Sequence, residues 1–428
     1  MSKIRLNLLF ISLFFVYTEG LWQRLFLLGS NTTIMYEFPI WLYLFFSQKY
    51  FLKYTPLIKY LLLYIFISFS ISVFNGFEII NWIKYIRFFI YFILIYLSIF
   101  NTAIKIKQWN SIIAFVVFLI LIQGLGSSFN IFILDQRIEG QVGLMSTLGG
   151  TKAATFPLLI ISISYLIYLF SRRSKLKLNL ILFLMFVGCL LVGYASGKRI
   201  IYFSIPVFFI LIAWLSFYKL KFKKYFSRKI LISFFIILVI FPLFIFGITT
   251  SKGLNYALSG NETNLEIILS AIEYAEYYDN SESFYGESTG RSSTSFNAVS
   301  NSLNSTDVFM FGNGYSSHKD ENFINSIGIE YGIVGFTRDL LSGGWILVLI
   351  TLIVYIKIIK TNLSINNNFL DVLRNVILII FIYTHLTYSS DFTANLKIPL
   401  MLAIILAFIN SPLNKEALKN ILSKYSII

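Results

Sequence analysis

LNLILFLMFVGCLLVGYA, residues 178–195, is a run of 18 residues without a charged side chain, and a second apolar run, residues 200–218, follows after only SGKR. A helix of about 20 apolar residues is long enough to cross a bilayer core of ~30 Å. Two such runs with so short a connection predict a pair of antiparallel membrane-spanning helices. This pair sets the class of the protein, because a soluble fold would have to hide both helices from water.

Similar runs recur along the 428 residues, of which 57% are hydrophobic and only 13% are charged. Those values lie far outside the composition of soluble domains. The ten other runs are at about 7–28, 33–48, 56–74, 80–100, 110–134, 153–171, 230–250, 343–359, 373–390 and 396–411. We therefore expect an all-α, polytopic transmembrane helix bundle of about 12 spans. Residues 1–428 would form a single integral membrane domain.

The basic residues predict how the spans are oriented. If the N-terminus is cytoplasmic, 23 of the 35 Lys and Arg residues lie in inner segments, with two acidic residues, Asp371 and Glu416. The inner face then carries +21 and the outer face −6, within a total of +15. This distribution follows the positive-inside rule and predicts that both termini are cytoplasmic. Topology and lipid headgroups thus account for the basic excess, which argues against nucleic-acid binding.

The longest polar segment, residues 251–342, connects the ninth and tenth predicted spans. It is rich in Ser, Asn, Gly and Tyr, and contains eleven acidic residues between Glu262 and Glu330. Apolar residues at helical spacing from Glu262 to Tyr278 predict that this part of the segment is helical. We expect one large extracytoplasmic loop with two or three short helices on the outer membrane face.

Four of the 12 basic residues on the outer side are candidates for function. Lys198 and Arg199 lie in the short connection after the seventh span, Arg137 lies in DQRIEG (135–140) and Arg291 lies in GRSS (290–293). Each alone also fits a solvated loop charge or a side chain that snorkels to the membrane boundary. As a group, they suit the phosphates of a lipid-linked substrate.

The densest group of polar residues and glycines is FGNGYSSHKDENF, residues 311–323, which is followed by EYGIVG, residues 330–335. The glycines permit backbone turns that other residues resist. Glu321, His318 and Asp320 are candidates to accept a proton from a hydroxyl nucleophile. The same residues also fit a turn that leads into an amphipathic helix.

These segments resemble the superfamily of O-antigen polymerases and O-antigen ligases, integral-membrane glycosyltransferases that use polyprenyl-diphosphate sugars. In that family a Gly-x-Gly is followed by His-Asn or Asp-Asn and then by Glu-x-Gly-Ile-x-Gly. Residues 312–314, 321–322 and 330–335 resemble these three patterns in the same order.

Three further patches resemble the same superfamily. Its Ser-Arg-Gly signature after a span resembles SGKR at 196–199, without the trailing glycine. Its Gly-Arg before an aromatic residue resembles residues 290–291 with Phe296, and its Arg-x-x-Gly resembles residues 137–140. The likeness covers most of the chain as topology, but only these patches as sequence.

The resemblance implies a bacterial repeat-unit polymerase of a surface polysaccharide. Such an enzyme transfers a glycan chain from polyprenyl diphosphate to an incoming lipid-linked repeat unit at the outer face of the inner membrane. Ligases of the family have His directly before the Asn, where this chain has Glu321, and this departure favours the polymerase. The alternatives are a ligase that moves the finished chain to lipid A core, and a transporter or flippase of the lipid-linked glycan.

The resemblance also implies roles for particular residues. The expected catalytic residues are Arg199 and Arg291, which would stabilise the leaving diphosphate, and Glu321 or else His318, which would act as the base. The expected substrate-binding residues are Arg137, Lys198, Asn322, Gly312, Gly314 and Tyr315. No Asp-x-Asp motif is apparent, so we expect no metal or other cofactor. The expected partners are the bilayer, an undecaprenyl-diphosphate-linked donor and acceptor, and a chain-length regulator protein.

Overall fold

The chain folds as a bundle of α-helices and forms no β-sheet in the residues described below. The computed structural model describes residues 1–26, 33–53, 56–134, 142–145, 152–171, 176–196, 200–220, 229–230, 291–329, 333–361, 365–387, 396–425 and 427. The predicted all-α class is confirmed for this part of the chain.

Seventeen α-helices lie in the described ranges, with two 3-10 turns at Ser317–Lys319 and Pro412–Asn414. The helices are α1 (Lys3–Tyr17), α2 (Glu19–Phe26), α3 (Thr33–Phe45), α4 (Gln48–Phe51), α5 (Pro56–Phe74), α6 (Ile79–Phe100), α7 (Ile106–Phe132), α8 (Lys152–Phe170), α9 (Leu176–Ser196), α10 (Ile200–Leu220), α11 (Arg291–Ser302), α12 (Thr306–Phe311), α13 (Glu321–Ser326), α14 (Gly335–Ile359), α15 (Asn368–Thr387), α16 (Lys397–Asn410) and α17 (Lys415–Lys424).

Six of these helices are long and apolar enough to cross a membrane, namely α5, α6, α7, α9, α14 and α15. The number is eight if α1 with α2, and α16 with α17, each form one bent span. α3, α8 and α10 contribute shorter apolar helices. The described residues thus contain six to eight candidate membrane-spanning helices, as expected of a multi-span protein.

Eleven of the 12 predicted apolar runs coincide with these helices. The run at 230–250 lies outside the described residues. The total of twelve spans, the membrane involved and the side on which the termini lie stay predictions.

Two candidate spans, α1 with α2 and α16 with α17, are bent, and the bends have identifiable causes. α1 and α2 meet at 63° around Thr18, whose hydroxyl donates to the Phe14 carbonyl at 2.6 Å and accepts from the Trp22 indole at 3.0 Å. α16 and α17 meet at 73°, where Pro412 cannot continue the helical hydrogen bonding. The single apolar run at 7–28 thus becomes two helices with different directions, whereas α17 lies beyond the run at 396–411.

Aromatic rings join three helices of the core. Tyr355 of α14 lies between Phe89 and Phe92 of α6, at centroid distances of 5.2 and 5.4 Å, and Phe381 of α15, at 4.1 Å. All four side chains are buried. Offset aromatic contacts of this kind add to the packing that holds helices together inside a membrane.

α3 and α6 run parallel to each other. The side chains of Glu37, Trp41 and Tyr43 on α3 meet Arg87, Tyr91 and Ser98 on α6 in the same order along both helices. Parallel neighbours require that the chain crosses back between them, which α5 does. This agrees with the alternating direction predicted for the second to fourth spans.

The predicted loop 251–342 is described only in its second part. Residues 251–290, with the helix predicted from Glu262 to Tyr278, lie outside the described ranges. Residues 291–329 contain α11, α12 and α13, and α14 begins at Gly335, before the predicted start of the span at 343. A kink at Gly343 and Gly344, where the backbone leaves the helical region, separates the first eight residues of α14 from the apolar run.

Two glycines let α7 and α9 approach closely. A Cβ atom built on Gly124 of α7 would lie 2.6 Å from the Cα of Gly188 on α9. Real Cβ contacts essentially never come so near, so any larger residue at 124 forces the two helices apart.

We expect Gly124→Leu to destabilise the protein by about 1–3 kcal/mol, because the new side chain overpacks the α7–α9 contact. The measurement is the unfolding free energy of the purified protein in a bilayer mimetic. Ala114→Leu, at an exposed position of the same helix, serves as the control and should leave stability nearly unchanged. Equal stability of both variants would show that α7 and α9 do not pack through Gly124.

Candidate functional site

The first glycine of the predicted Gly-x-Gly packs against the kink of α14. Gly312 has φ +68, and a Cβ on it would lie 2.6 Å from the backbone nitrogen of Gly344. Gly344 in turn has φ +63, and its Cβ would lie 2.5 Å from the Met310 carbonyl oxygen. The Asn313 amide donates to the Leu341 carbonyl at 2.7 Å. Backbone therefore rests on backbone here, which only glycine permits at both positions.

The following residues contact α5 and the residue that precedes α6. The Tyr315 hydroxyl donates to the Ser68 carbonyl at 2.9 Å, and its ring is buried. Both the amide and the hydroxyl of Ser316 donate to the carboxylate of Glu78. Gly314 has φ +94 and lies close to Glu78. Segment 312–322, which contains six of the predicted site residues, is thus held at one end of the bundle.

A buried group of charged and polar residues lies beneath this segment. It consists of Arg338 and Asp339 of α14, Tyr85 of α6 and His385 of α15, and we call it the buried charge cluster. Arg338 Nη2 lies 3.3 Å from Asp339 Oδ1, which also accepts a hydrogen bond from the Tyr85 hydroxyl. His385 Nε2 lies 3.5 Å from Asp339 Oδ2. The Asp339 side chain is only 1% exposed, so it depends on these partners.

His318 connects segment 312–322 to this cluster. Its Nδ1 lies 3.0 Å from the Ser342 hydroxyl, and its ring meets the Tyr85 ring edge-on at 6.0 Å. Burial lowers the pKa of His318 to about 3, and the positive charges of Arg338 and Lys319 contribute. The imidazole is therefore neutral near pH 7 and is a weak proton acceptor.

Four cations lie at the same end of the bundle: Lys319 follows His318, Lys84 and Arg87 lie beside Tyr85 on α6, and Arg338 belongs to the buried charge cluster. Burial lowers the pKa of Lys319, and the positive charges of its neighbours Lys84, Arg338 and Arg87 lower it further. We call these four residues the cationic rim. Two carboxylates contact it directly, Glu37 at Arg87 and Asp339 at Arg338. Lys84 and Lys319 contact no carboxylate among the described residues, so the rim keeps positive charge for an anion.

The predicted base and its neighbour lie at the surface. Glu321 and Asn322 begin α13 and are exposed. The side chain of Asp320 caps this helix, accepting from the amides of Asn322 at 3.1 Å and Phe323 at 3.3 Å. Asp320 is thereby occupied as a helix cap, whereas the Glu321 carboxylate faces outward.

The predicted basic residues are described only in part. Arg137, Lys198 and Arg199 lie outside the described residues. Arg291 is the first residue of α11, but the position of its side chain is likewise outside the description. α11 packs on α14, where Ser295 and Thr337 hydroxyls lie 3.1 Å apart, and this contact brings the start of α11 to the same region of the bundle.

The buried charge cluster and the cationic rim were missed by reading the sequence for loop arginines. A signal for them existed, because Arg338-Asp339 directly precedes an apolar run and His385 lies inside another. Ionisable residues within membrane spans are costly unless paired and frequently mark function. Lys84 and Arg87 are the only charged residues in the predicted fourth span, residues 80–100.

A second buried ion pair connects the first and last predicted spans. Lys397 Nζ lies 2.6 Å from Glu19 Oε2 and donates to the Met145 carbonyl. The Gln123 amide oxygen accepts from the amides of Leu144 and Met145, both at 2.9 Å. This group fixes the bend of α1 and α2 against α7 and α16 and is fully engaged in structural contacts.

Comparison with known proteins assigns this chain to no family. No protein-family model, curated protein or solved structure matches the chain. The resemblance to O-antigen polymerases and ligases stays a prediction from the sequence patches.

We expect Asp339→Asn to destabilise the protein by about 3–5 kcal/mol, because it leaves the guanidinium of Arg338 without its carboxylate in a buried position. The unfolding free energy in a bilayer mimetic measures the effect. Lys219 and Asp371 form an ion pair of the same 3.3 Å length with 37% and 38% exposed side chains. Asp371→Asn is therefore the matched control and should cost less than ~1 kcal/mol. Similar losses in both variants would contradict the assigned burial.

Protonation of His318 should couple stability to pH. The pKa of His318 is about 3 in the folded protein and about 6.5 in an unfolded chain. Between these values the unfolded chain binds a proton that the folded protein does not, so stability falls as the pH is lowered through this window. We expect His318→Gln to reduce the decrease in melting temperature between neutral pH and about pH 4. An unchanged decrease would rule out a buried, neutral His318.

Proposed function

We propose that this protein is a repeat-unit polymerase of a bacterial surface polysaccharide. It would act on glycans carried by polyprenyl diphosphate, at the outer face of the cytoplasmic membrane. The observation that carries the proposal is the cationic rim beside segment 312–322. A diphosphate is the anionic part of such a donor, and four cations with two contacting carboxylates suit it.

The proposed reaction forms one glycosidic bond and breaks one. The hydroxyl oxygen of the acceptor sugar attacks the anomeric carbon of the donor chain, and the bond from that carbon to the diphosphate oxygen breaks. The hydroxyl proton passes to the carboxylate of Glu321, which faces outward. Polyprenyl diphosphate leaves with the negative charge that develops on it.

The rim residues have a defined part in this step. Lys319 and Arg338, with the predicted Arg199 and Arg291, stabilise the leaving diphosphate. Arg338 is held in place by Asp339 and by the Tyr85 ring, 4.4 Å from its guanidinium carbon. A cation fixed in advance stabilises developing charge without having to reorganise during the reaction. His318 is a positioning residue in this scheme, since its low pKa makes it a weak base.

A transporter of the same lipid-linked glycan is the second candidate. The broken spans favour it, because α1 with α2 is bent by 63° and α14 is kinked at Gly343 and Gly344. Discontinuous membrane helices typically form the substrate sites of transporters. The two candidates differ in chemistry, since only the polymerase cleaves the diphosphate bond.

Reconstitution with a purified undecaprenyl-diphosphate-linked repeat unit tests the proposal. We expect glycans of increasing repeat number and release of undecaprenyl diphosphate. Lys319→Ala and Glu321→Gln should each lower the rate by at least ~10-fold, because they remove a charge from the reaction site. Lys107→Gln, an exposed lysine at the start of α7, is the control and should retain full activity.

Other outcomes of the same assay would support a different function or mechanism. Transfer only to lipid A core would indicate the ligase. Movement of the intact repeat unit across a liposome membrane without new glycosidic bonds would indicate the transporter. Normal polymer formation by Lys319→Ala would remove the rim from the mechanism.

A further inference from the structure

The contact between α3 and α6 contains an ion pair within two apolar helices. Arg87 Nη1 lies 3.5 Å from Glu37 Oε1, and the Arg87 side chain is still 34% exposed. Arg87 lies about 12 Å along α6 from the start of that helix. Arg87 Nε and Glu37 Oε1 have no hydrogen-bond partner among the described residues. A guanidinium this loosely held at membrane depth is free to bind a further anion.

Aromatic side chains lie on the same contact, directly beyond the ion pair. The indole nitrogen of Trp41 donates to the Tyr91 hydroxyl, one helical turn after Glu37 and Arg87. Trp41 is nevertheless 54% exposed, between Phe38 at 58% and Phe45 at 65%. These three rings form an exposed stripe on the outside of α3. We call the ion pair and this stripe the α3–α6 seam.

The seam continues into the cationic rim. Lys84 precedes Arg87 by three residues, so the two side chains share one face of α6. Lys319 follows His318, whose ring meets the Tyr85 ring at 6.0 Å, and Tyr85 lies between Lys84 and Arg87 on α6. Positive charge therefore runs from the candidate reaction site to the top of an apolar, aromatic surface open to the bilayer.

We propose that the α3–α6 seam binds a long-chain isoprenoid diphosphate, with Lys84, Arg87 and Lys319 on the diphosphate and the Phe38, Trp41 and Phe45 rings against the isoprenoid chain. This inference rests on the proposed function and identifies where its lipid carrier enters. Three cations around one anionic group complement a diphosphate better than the single phosphate of a bilayer lipid. The substrate would reach the reaction site laterally from the membrane.

Photo-crosslinking of the full-length protein in phosphatidylcholine nanodiscs tests the site. The probe is a diazirine analogue of a long-chain polyprenyl diphosphate that carries no glycan. We expect label in peptides of α3 and α6, and no competition by excess phosphatidylglycerol. The double variant Glu37→Gln/Arg87→Gln, which leaves neither charge unpaired, should reduce this label by at least ~10-fold. Trp41→Ala should reduce it by about 3-fold, and Lys107→Gln should not change it.

Three results would each overturn the inference. The double variant could be labelled as strongly as the wild type, the label could lie outside α3 and α6, or phosphatidylglycerol could remove the label equally well. Variants are compared only after their melting temperatures agree with that of the wild type; Lys84→Gln, whose side chain is exposed, replaces the double variant if that one unfolds. A protein that is labelled as expected but makes no polymer would refute the proposed function alone. Normal polymer formation by a variant that is no longer labelled would refute the seam alone.

Discussion

The ion pair of Arg338 and Asp339 is the constraint on which this end of the molecule depends. Charges cannot be buried among membrane helices unless each has a partner, because water is not there to solvate them. Asp339 takes its partners from three helices, through Arg338, Tyr85 and His385. α6, α14 and α15 must therefore meet at this point in one arrangement. The aromatic contacts of Tyr355 with Phe89 and Phe381 extend the same meeting of helices further into the core.

The kink in α14 provides the surface on which segment 312–322 packs. Gly343 and Gly344 interrupt the helix just after the ion pair, and the interruption creates a place where the backbone of Gly312 can rest. Segment 312–322 is then held over the buried charges by Asn313, Tyr315 and Ser316. A polar segment that would otherwise be an irregular loop acquires a fixed position beside the cations of α6 and α14.

The site was only partly predictable from the sequence. Gly312, Gly314 and His318 were predicted from local pattern, and all lie at one site, because a turn near glycine is a local property of the chain. Arg338, Asp339, Tyr85 and His385 were missed, since they are far apart in sequence and each alone resembles an isolated charge or ring in an apolar run. The two predicted bases also differ in their surroundings. Glu321 is exposed, whereas Nδ1 of His318 lies within hydrogen-bonding distance of the Ser342 hydroxyl.

The sequence by itself determined the class of this protein and the position of most helices. Apolar runs of about 20 residues identify membrane helices because the cost of burying a charge in lipid is the same wherever the run lies in the chain. The tertiary structure decided which helices are broken and which distant charges pair. It made Lys84 and Arg87, which in the sequence are two isolated charges within a predicted span, part of a cationic rim. Such pairing depends on helix directions and on close backbone contacts at Gly124 and Gly312, and no local pattern encodes those distances.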